Sequence, residues 1–536
     1  MVKPHAEQPT RREFVKDPWP VAGSLALAGL ALGGSATGHQ DDLVTFNVVK
    51  HGAKGDGKSK DTAAIQATID ACNRQGGGTV LFPPGTFLSG SLHLKSGVAL
   101  YLDHAATLLA SKDQADFDTY EKLDFKNAAD HETSFFHHAL IWAEDAERIA
   151  ITGSGRVNGN RKKRGGPKMI ALKRCKFVAI HDITILDSPN YCISLLGTDY
   201  VNIDGVTILN GYSDGIDPDC CRHIRISNCH IESWDDAICP KTSFSLGQRR
   251  STENVTITNC TLASNCNAFK LGTESGGDFR NISVNNCVIF ARPQMRSPIS
   301  GISLLSVDGA NIDGVAINNI CMADVRCPVF LRLGNRGRDM EKPTPGTLKN
   351  VILSHIVANG AEEPCTLSGM PHHPIESVIM NNMRITCKGG GTAEQSQVEV
   401  AEHISKYPSA GMFGNLPAYG VYCRHVRNLN LSTIHLGCAS SDSRHAVMCD
   451  DVSRLLVDSL GGEQAKNGQA LLHFREVRDG TVRGFANQKA NPFLKVSGPE
   501  SRDILLINND FKRVENLYEI AGDAPTDSVD LIANRR

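Results

Sequence analysis

The sequence predicts an all-β fold, a right-handed parallel β-helix (β-solenoid) with an N-terminal capping helix. Three observations predict it: a short apolar strand motif that recurs along the chain, a polar turn residue closing each copy, and a composition suited to many short strands. Of 536 residues, 49 are Gly, 6% are aromatic and 41% are hydrophobic, enough apolar material for a large core with little bulk per side chain.

The motif is an alternating apolar strand ended by Asn or a similar residue. It reads Ile183 to Asp187, Val206 to Asn210, Ile224 to Asn228, Val255 to Asn259, Ile282 to Asn286 and Val315 to Asn319, with weaker copies around His355, Asn382 and Thr433. Turn positions recur at intervals of roughly 18 to 50 residues, as expected when loops of differing length decorate one structural rung. A strand of four or five residues cannot bury its apolar face alone, so rungs must stack, and stacking like on like gives parallel sheets. Stacked asparagines can bridge side-chain amides to neighbouring backbone groups. Cys229, Cys260 and Cys287 each follow such an Asn and read as a column of small buried residues. The 17 cysteines are odd in number and contain no C-x-x-C, which favours core residues over a disulfide framework or zinc.

The open end of a solenoid needs cover. Asp61 can cap a helix starting at Thr62, with Ile65, Ile69 and Cys72 on one face and Gly76-Gly77-Gly78 ending it. Two segments organise the chain: residues 1–40 as a twin-arginine-type signal and 41–536 as one parallel β-helix catalytic domain. The signal reading rests on Arg11-Arg12, the mild apolar run Val21 to Leu32 and small residues through Gly38. It implies an exported, periplasmic or extracellular protein. The apolar run is too short and Gly-broken for a stable membrane span. With 56 Lys plus Arg against 58 Asp plus Glu, no global field draws in nucleic acid.

From Phe46 through Leu108 the sequence resembles the opening of the pectin-degrading β-helix superfamily, carried by Phe46-Asn47-Val48, Gly52 to Gly57, Asp61-Thr62, Ala64-Ile65-Gln66, Gly76-Gly77-Gly78 and Pro83 to Phe87. Tyr212 to Asp219, then Asn228-Cys229 and Trp234 to Ile238, resemble the catalytic stretch of glycoside hydrolase family 28, the polygalacturonase and rhamnogalacturonase family. The resemblance covers roughly residues 44 to 340. It places the family's Asn-Thr-Asp on Tyr212-Ser213-Asp214 and its Asp-Asp pair on Asp235-Asp236. Where that family has Gly-His-Gly this chain has Cys266-Asn267-Ala268, and where it has Arg-Ile-Lys this chain has Phe330-Leu331-Arg332.

Glycoside hydrolysis needs an acid to protonate the leaving oxygen and a carboxylate to activate water or attack the sugar. The resemblance implies Asp235 as general acid, with Asp214 and Asp236 holding the water. Carboxylates one or two rungs apart can reach the separation of about 6.5 to 9.5 Å that accommodates a water and inverts configuration. Crowded carboxylates should hold one proton among them at mildly acidic pH. Neighbours in a regular strand face opposite ways, so Asp235 and Asp236 need a bulge or turn to share a cleft. Asp217, Lys241, Asn267, Lys270, Glu274 and Arg332 are the candidate substrate-binding residues. A lone acid or base of this kind more often caps a turn or meets solvent. Trp234 could stack on sugar. No metal or other cofactor is expected, since His137-His138 and His372-His373 lack a second ligand set.

The expected function is therefore cleavage of a pectin-like or other acidic polysaccharide or oligosaccharide. Two alternatives stand beside it: a lyase or epimerase using Lys241 or Lys270 as base, and a catalytically inactive carbohydrate-binding solenoid.

Overall fold

The computed structural model describes residues 44–486 and 488–536; the expected signal segment lies outside them. From Val44 onward the chain is one compact unit, a right-handed parallel β-helix whose strands pair with their equivalents one coil earlier and one coil later. No helix among the described residues is long and apolar enough to cross a membrane.

The inward stack of one sheet shows why the sequence folds this way. Ile193 pairs Ile216, Ile216 pairs Ile238 and Ile238 pairs Phe269, Phe269 pairs Ile302, and Ile302 pairs Val329. All are buried. Each such side chain contributes about 1.5–3 kcal/mol when fully buried, so one coil stabilises the next. Alternation turns their neighbours outward: Ser194 pairs Asp217 and Lys270 pairs Ser303. This outward face carries the charged cluster described below.

All nine turn residues singled out by the repeat have positive φ, from 50° at Asp187 and Asn382 to 56° at Asn228, Asn259 and Asn319. Asn and Asp enter the left-handed region more easily than other L-residues, which explains their place in the repeat. They do not all share one corner. Asn228 donates to Asp204 (2.7 Å), Asn259 to Asn228 (3.3 Å) and Asn319 to Asn286 (2.6 Å). Asn210 instead donates to Asp187 (3.2 Å) at a different corner. Both corners demand the same backbone conformation, so their local sequences look alike.

Helix α1 spans Thr62–Arg74 and buries Ile65, Thr68, Ile69 and Cys72. Its Asp61 carboxylate does not cap it; it accepts from the Lys54 and Gly55 amides at 2.7 and 3.0 Å. The Asp61 carbonyl takes the Ile65 N–H instead (2.9 Å). All 17 cysteines are free and 14 are buried, as core residues would be. The thiols of Cys229, Cys260 and Cys287 each donate to a carbonyl two residues earlier at 3.2 Å.

Candidate active site

Two bends, one coil apart, bring the aspartates together. The strand Thr207–Gly211 shifts register between Ile208 and Gly211 against its neighbour, and Tyr212-Ser213-Asp214 follow that irregularity. One coil later Trp234-Asp235-Asp236 form the equivalent bend after the strand His230–Ser233. Gly215 N–H donates to Asp236 O at 2.9 Å, and Asp236 N–H donates to Asp214 Oδ1 at 3.2 Å. A Cβ at residue 215 would stand 2.4 Å from the Ala237 carbonyl oxygen, so only glycine permits this approach.

Because Asp235 and Asp236 lie in a bend, strand alternation does not separate them. Each offers a carboxylate oxygen within 4.8 Å of the other's, with Cys266 Sγ in the same group. Asp214 and Asp236 are likewise within 4.8 Å, with Cys239 Sγ. Asp214 and Asp236 are buried, whereas the Asp235 side chain is 26% exposed. Asp235 is thus the member of the trio that solvent reaches.

Four of the six expected binding residues bind the aspartates or each other directly. Lys241 Nζ donates to Asp214 (2.8 Å), Asp217 (3.1 Å) and the Tyr191 hydroxyl (3.0 Å). Lys270 Nζ donates to Asp236 Oδ2 at 2.7 Å, and Asn267 supplies its backbone and side-chain N–H to Oδ1 at 3.0 and 2.6 Å. Glu274 is buried nearby and accepts from Arg338 at 3.1 Å.

These contacts push the acids apart. Burial, then the charge of Asp217, raises Asp214 well above the carboxylate range. Burial raises Asp217 to about 6 against the pull of Lys241. Burial also works against charge on Asp236, but Lys270 and Asn267 override it and hold that group below its ordinary value. Two carboxylates around one ammonium leave a surplus negative charge, so Asp214 and Asp217 share a proton while Asp236 stays ionised. Lys241 and Lys270, though buried, are held charged by their carboxylates.

Arg332 does not join this cluster, contrary to the expected role. It is buried and donates to Ser368 Oγ (2.7 Å), Gly369 O (2.9 Å) and Glu402 O (2.7 Å). Its fork pins a surface segment to the sheet. Trp234 is 43% exposed and tilts against Tyr212 with ring centroids 5.2 Å apart. Asp219 receives the Ser243 amide at 2.8 Å, a structural bond.

The site also holds residues that local sequence did not flag. Arg164 reaches Asp235 at 2.6 Å and pairs with Glu132. Tyr191 meets Lys241. Lys168 is buried, donates to Ser194 Oγ at 3.0 Å, lies 3.7 Å over the Phe136 ring, and is pushed down by burial to about 7. No spacing signal marks them, because they arrive from separate coils and loops. The donor sets suit a cation poorly: Lys241, Lys270 and Asn267 already occupy the Asp214 and Asp236 oxygens, and burial keeps the Cys239 and Cys266 thiols protonated.

Residues 45–289 match the family described as rhamnogalacturonase A/epimerase, pectate lyase-like. A probable polygalacturonase of Vitis vinifera is 24% identical over 379 residues, covering 66% of this chain and 75% of the relative. An endo-polygalacturonase of Pectobacterium carotovorum is 23% identical over 365 residues, covering 61% and 85%. Among solved structures, an exopolygalacturonase from Thermotoga maritima aligns with a TM-score of 0.57 at 20% identity, covering 64% of this chain and 87% of that one. That likeness shows the shared fold.

Proposed function

We propose that this chain, whose residues 45–289 match the rhamnogalacturonase A/epimerase, pectate lyase-like family and which is similar to polygalacturonases, is a glycosidase that cleaves an acidic, pectin-like glycan by an inverting mechanism run by its aspartates. The observation that carries the reading is the convergence of Asp214, Asp235 and Asp236, with Asp235 alone of the three open to solvent.

In this reading Asp235 protonates the leaving oxygen. Asp236, kept ionised by Lys270, takes the proton of the attacking water, and Asp214 helps hold that water while sharing its own proton with Asp217. The nearest oxygens of Asp235 and Asp236 are closer than the separation expected from rung stacking, because the two residues are neighbours in one bend. Inversion therefore rests on the resemblance to family 28 and is not carried by this spacing.

The charged state of Lys241 and Lys270 supports hydrolysis over elimination, since a lyase base must first give up its proton. Asp235→Asn is expected to lower kcat by at least about 100-fold, the size of a lost general acid, with thermal stability unchanged. Turnover near wild type would remove Asp235 from the mechanism. Proton NMR of the first-formed reducing end tests inversion.

The proposal includes export. Replacing Arg11 and Arg12 with Lys should leave the enzyme inside the cytoplasm.

A further inference from the structure

Deepening the hydrolase reading, and resting on it, the geometry points to Arg164 as the residue that reads an acidic group on the sugar and thereby frees Asp235. Arg164 closes the basic run Arg161-Lys162-Lys163-Arg164, just before Gly165-Gly166-Pro167. Its Nη1 donates to Asp235 Oδ2 at 2.6 Å. Its Nε donates to the two Glu132 oxygens at 3.0 and 3.1 Å, and Nη2 also meets Glu132. Glu132 is fixed in turn by Ser213 Oγ at 3.3 Å, next to Asp214. The guanidinium therefore has a held edge, on Glu132, and an exchangeable edge, on Asp235.

The arrangement poses a chemical problem. An acid must present a proton to the glycosidic oxygen, and Asp235 presents its oxygen to a guanidinium. The two lysines of the cluster offer no relief, for Lys241 and Lys270 are buried in ion pairs; Arg332, outside the cluster, is bound to carbonyls. Arg164 is 48% exposed at the side chain, so a ligand reaches it. A sugar carboxylate matches the guanidinium fork at least as well as Asp235 does.

When the substrate takes the Nη1 edge, Asp235 gives up the one cation paired with it among the described residues and remains beside the ionised Asp236. A carboxylate left among like charges takes up a proton. The exchange balances: Arg164 keeps two carboxylate partners, now Glu132 and the sugar, and one proton from solvent neutralises Asp235. In the cleavage that follows, this proton goes to the leaving oxygen as the glycosidic C–O bond breaks. The water oxygen bonds the anomeric carbon and its proton passes to Asp236. A methyl-esterified sugar has no charge to offer Arg164 and leaves Asp235 paired.

The test compares wild type, Arg164→Ala and Arg164→Lys on polygalacturonic acid and on fully methyl-esterified pectin, measuring reducing-end release. Wild type should prefer the acidic polymer, and Arg164→Ala should cut the acid-to-ester ratio of kcat/KM by about tenfold, mainly through a raised KM on the acid. Arg164→Lys, which keeps the charge but loses the fork, should retain part of the preference. A ratio that moves by less than about twofold in both variants, or equal losses on both polymers, would overturn the inference while leaving the hydrolase reading in place. Absence of cleavage of either polymer by wild type would overturn both.

Discussion

The outward face of the same sheet is charged in two regions, and they differ in how charge is matched. In the coils from Tyr191 to Ser275, four aspartates gather around Lys241, Lys270 and Arg164, and Asp217 Oδ1 is buried without a hydrogen-bond partner. In the later coils, Arg475 grips Asp450 with two parallel bonds of 2.9 and 2.6 Å. There Arg332 and Arg424 donate to the Glu402 and Val400 carbonyls of an overlying segment, whose Val400 and Leu416 pack on Tyr422 and Met448. The later region uses charge to hold a segment down. The earlier one keeps an imbalance of protons and an acid in reach of solvent, which is what acid–base chemistry requires.

The contrast can be broken most forcefully at Lys270. Lys270→Met strands the buried Asp236 charge and should cost about 3–5 kcal/mol of stability, read by denaturant melting, along with nearly all activity. The same change in the later coils should act differently: Arg332→Met leaves buried carbonyls short of a donor, costing about 1–3 kcal/mol, while kcat stays within a few-fold of wild type. A large loss of kcat with stability intact would instead put Arg332 in the site.

The proton imbalance can be sharpened by pH. Asp217 has a folded value raised from 3.8 to about 6, so the folded state binds more protons than the unfolded state in that window. Its contribution is greatest at low pH and fades as pH rises from about 4 to 6, a direction opposite to that of Asp236, whose lowered value favours the folded state above the ordinary carboxylate range. Asp217→Asn should flatten the fall in melting temperature between pH 4 and 6; an unchanged slope would place the shared proton elsewhere. The smallest effect should come from the turns. Asn259→Ala forces a left-handed Ala at φ 56°, costing about 1–2 kcal/mol with no change in KM.

The fold was legible because each coil repeats the same local demands. A buried apolar pair and a left-handed polar corner recur wherever a rung must stack, so Ile224 to Asn228 and Val255 to Asn259 announce their roles within five residues. The corners were harder to tell apart, as Asp187 and Asn210 show, because two of them impose one conformation. The aspartates were legible too, as a cluster of acids at neighbouring bends. Arg332 misled because its place in a motif says nothing about which way its fork points or what awaits it.

By itself the sequence determined the β-helix, the burial of its cysteines and the coils on which Asp214, Asp235 and Asp236 sit, since these follow from periodicity and short-range backbone geometry. Only the tertiary structure decided which acid stays charged, which two share a proton and which one meets Arg164. Those outcomes depend on contacts of Lys241, Lys270, Glu132 and Arg164 that join residues 24 to 81 positions apart. Electrostatic energy is set by distance and burial in space, and neither is written in the order of the chain.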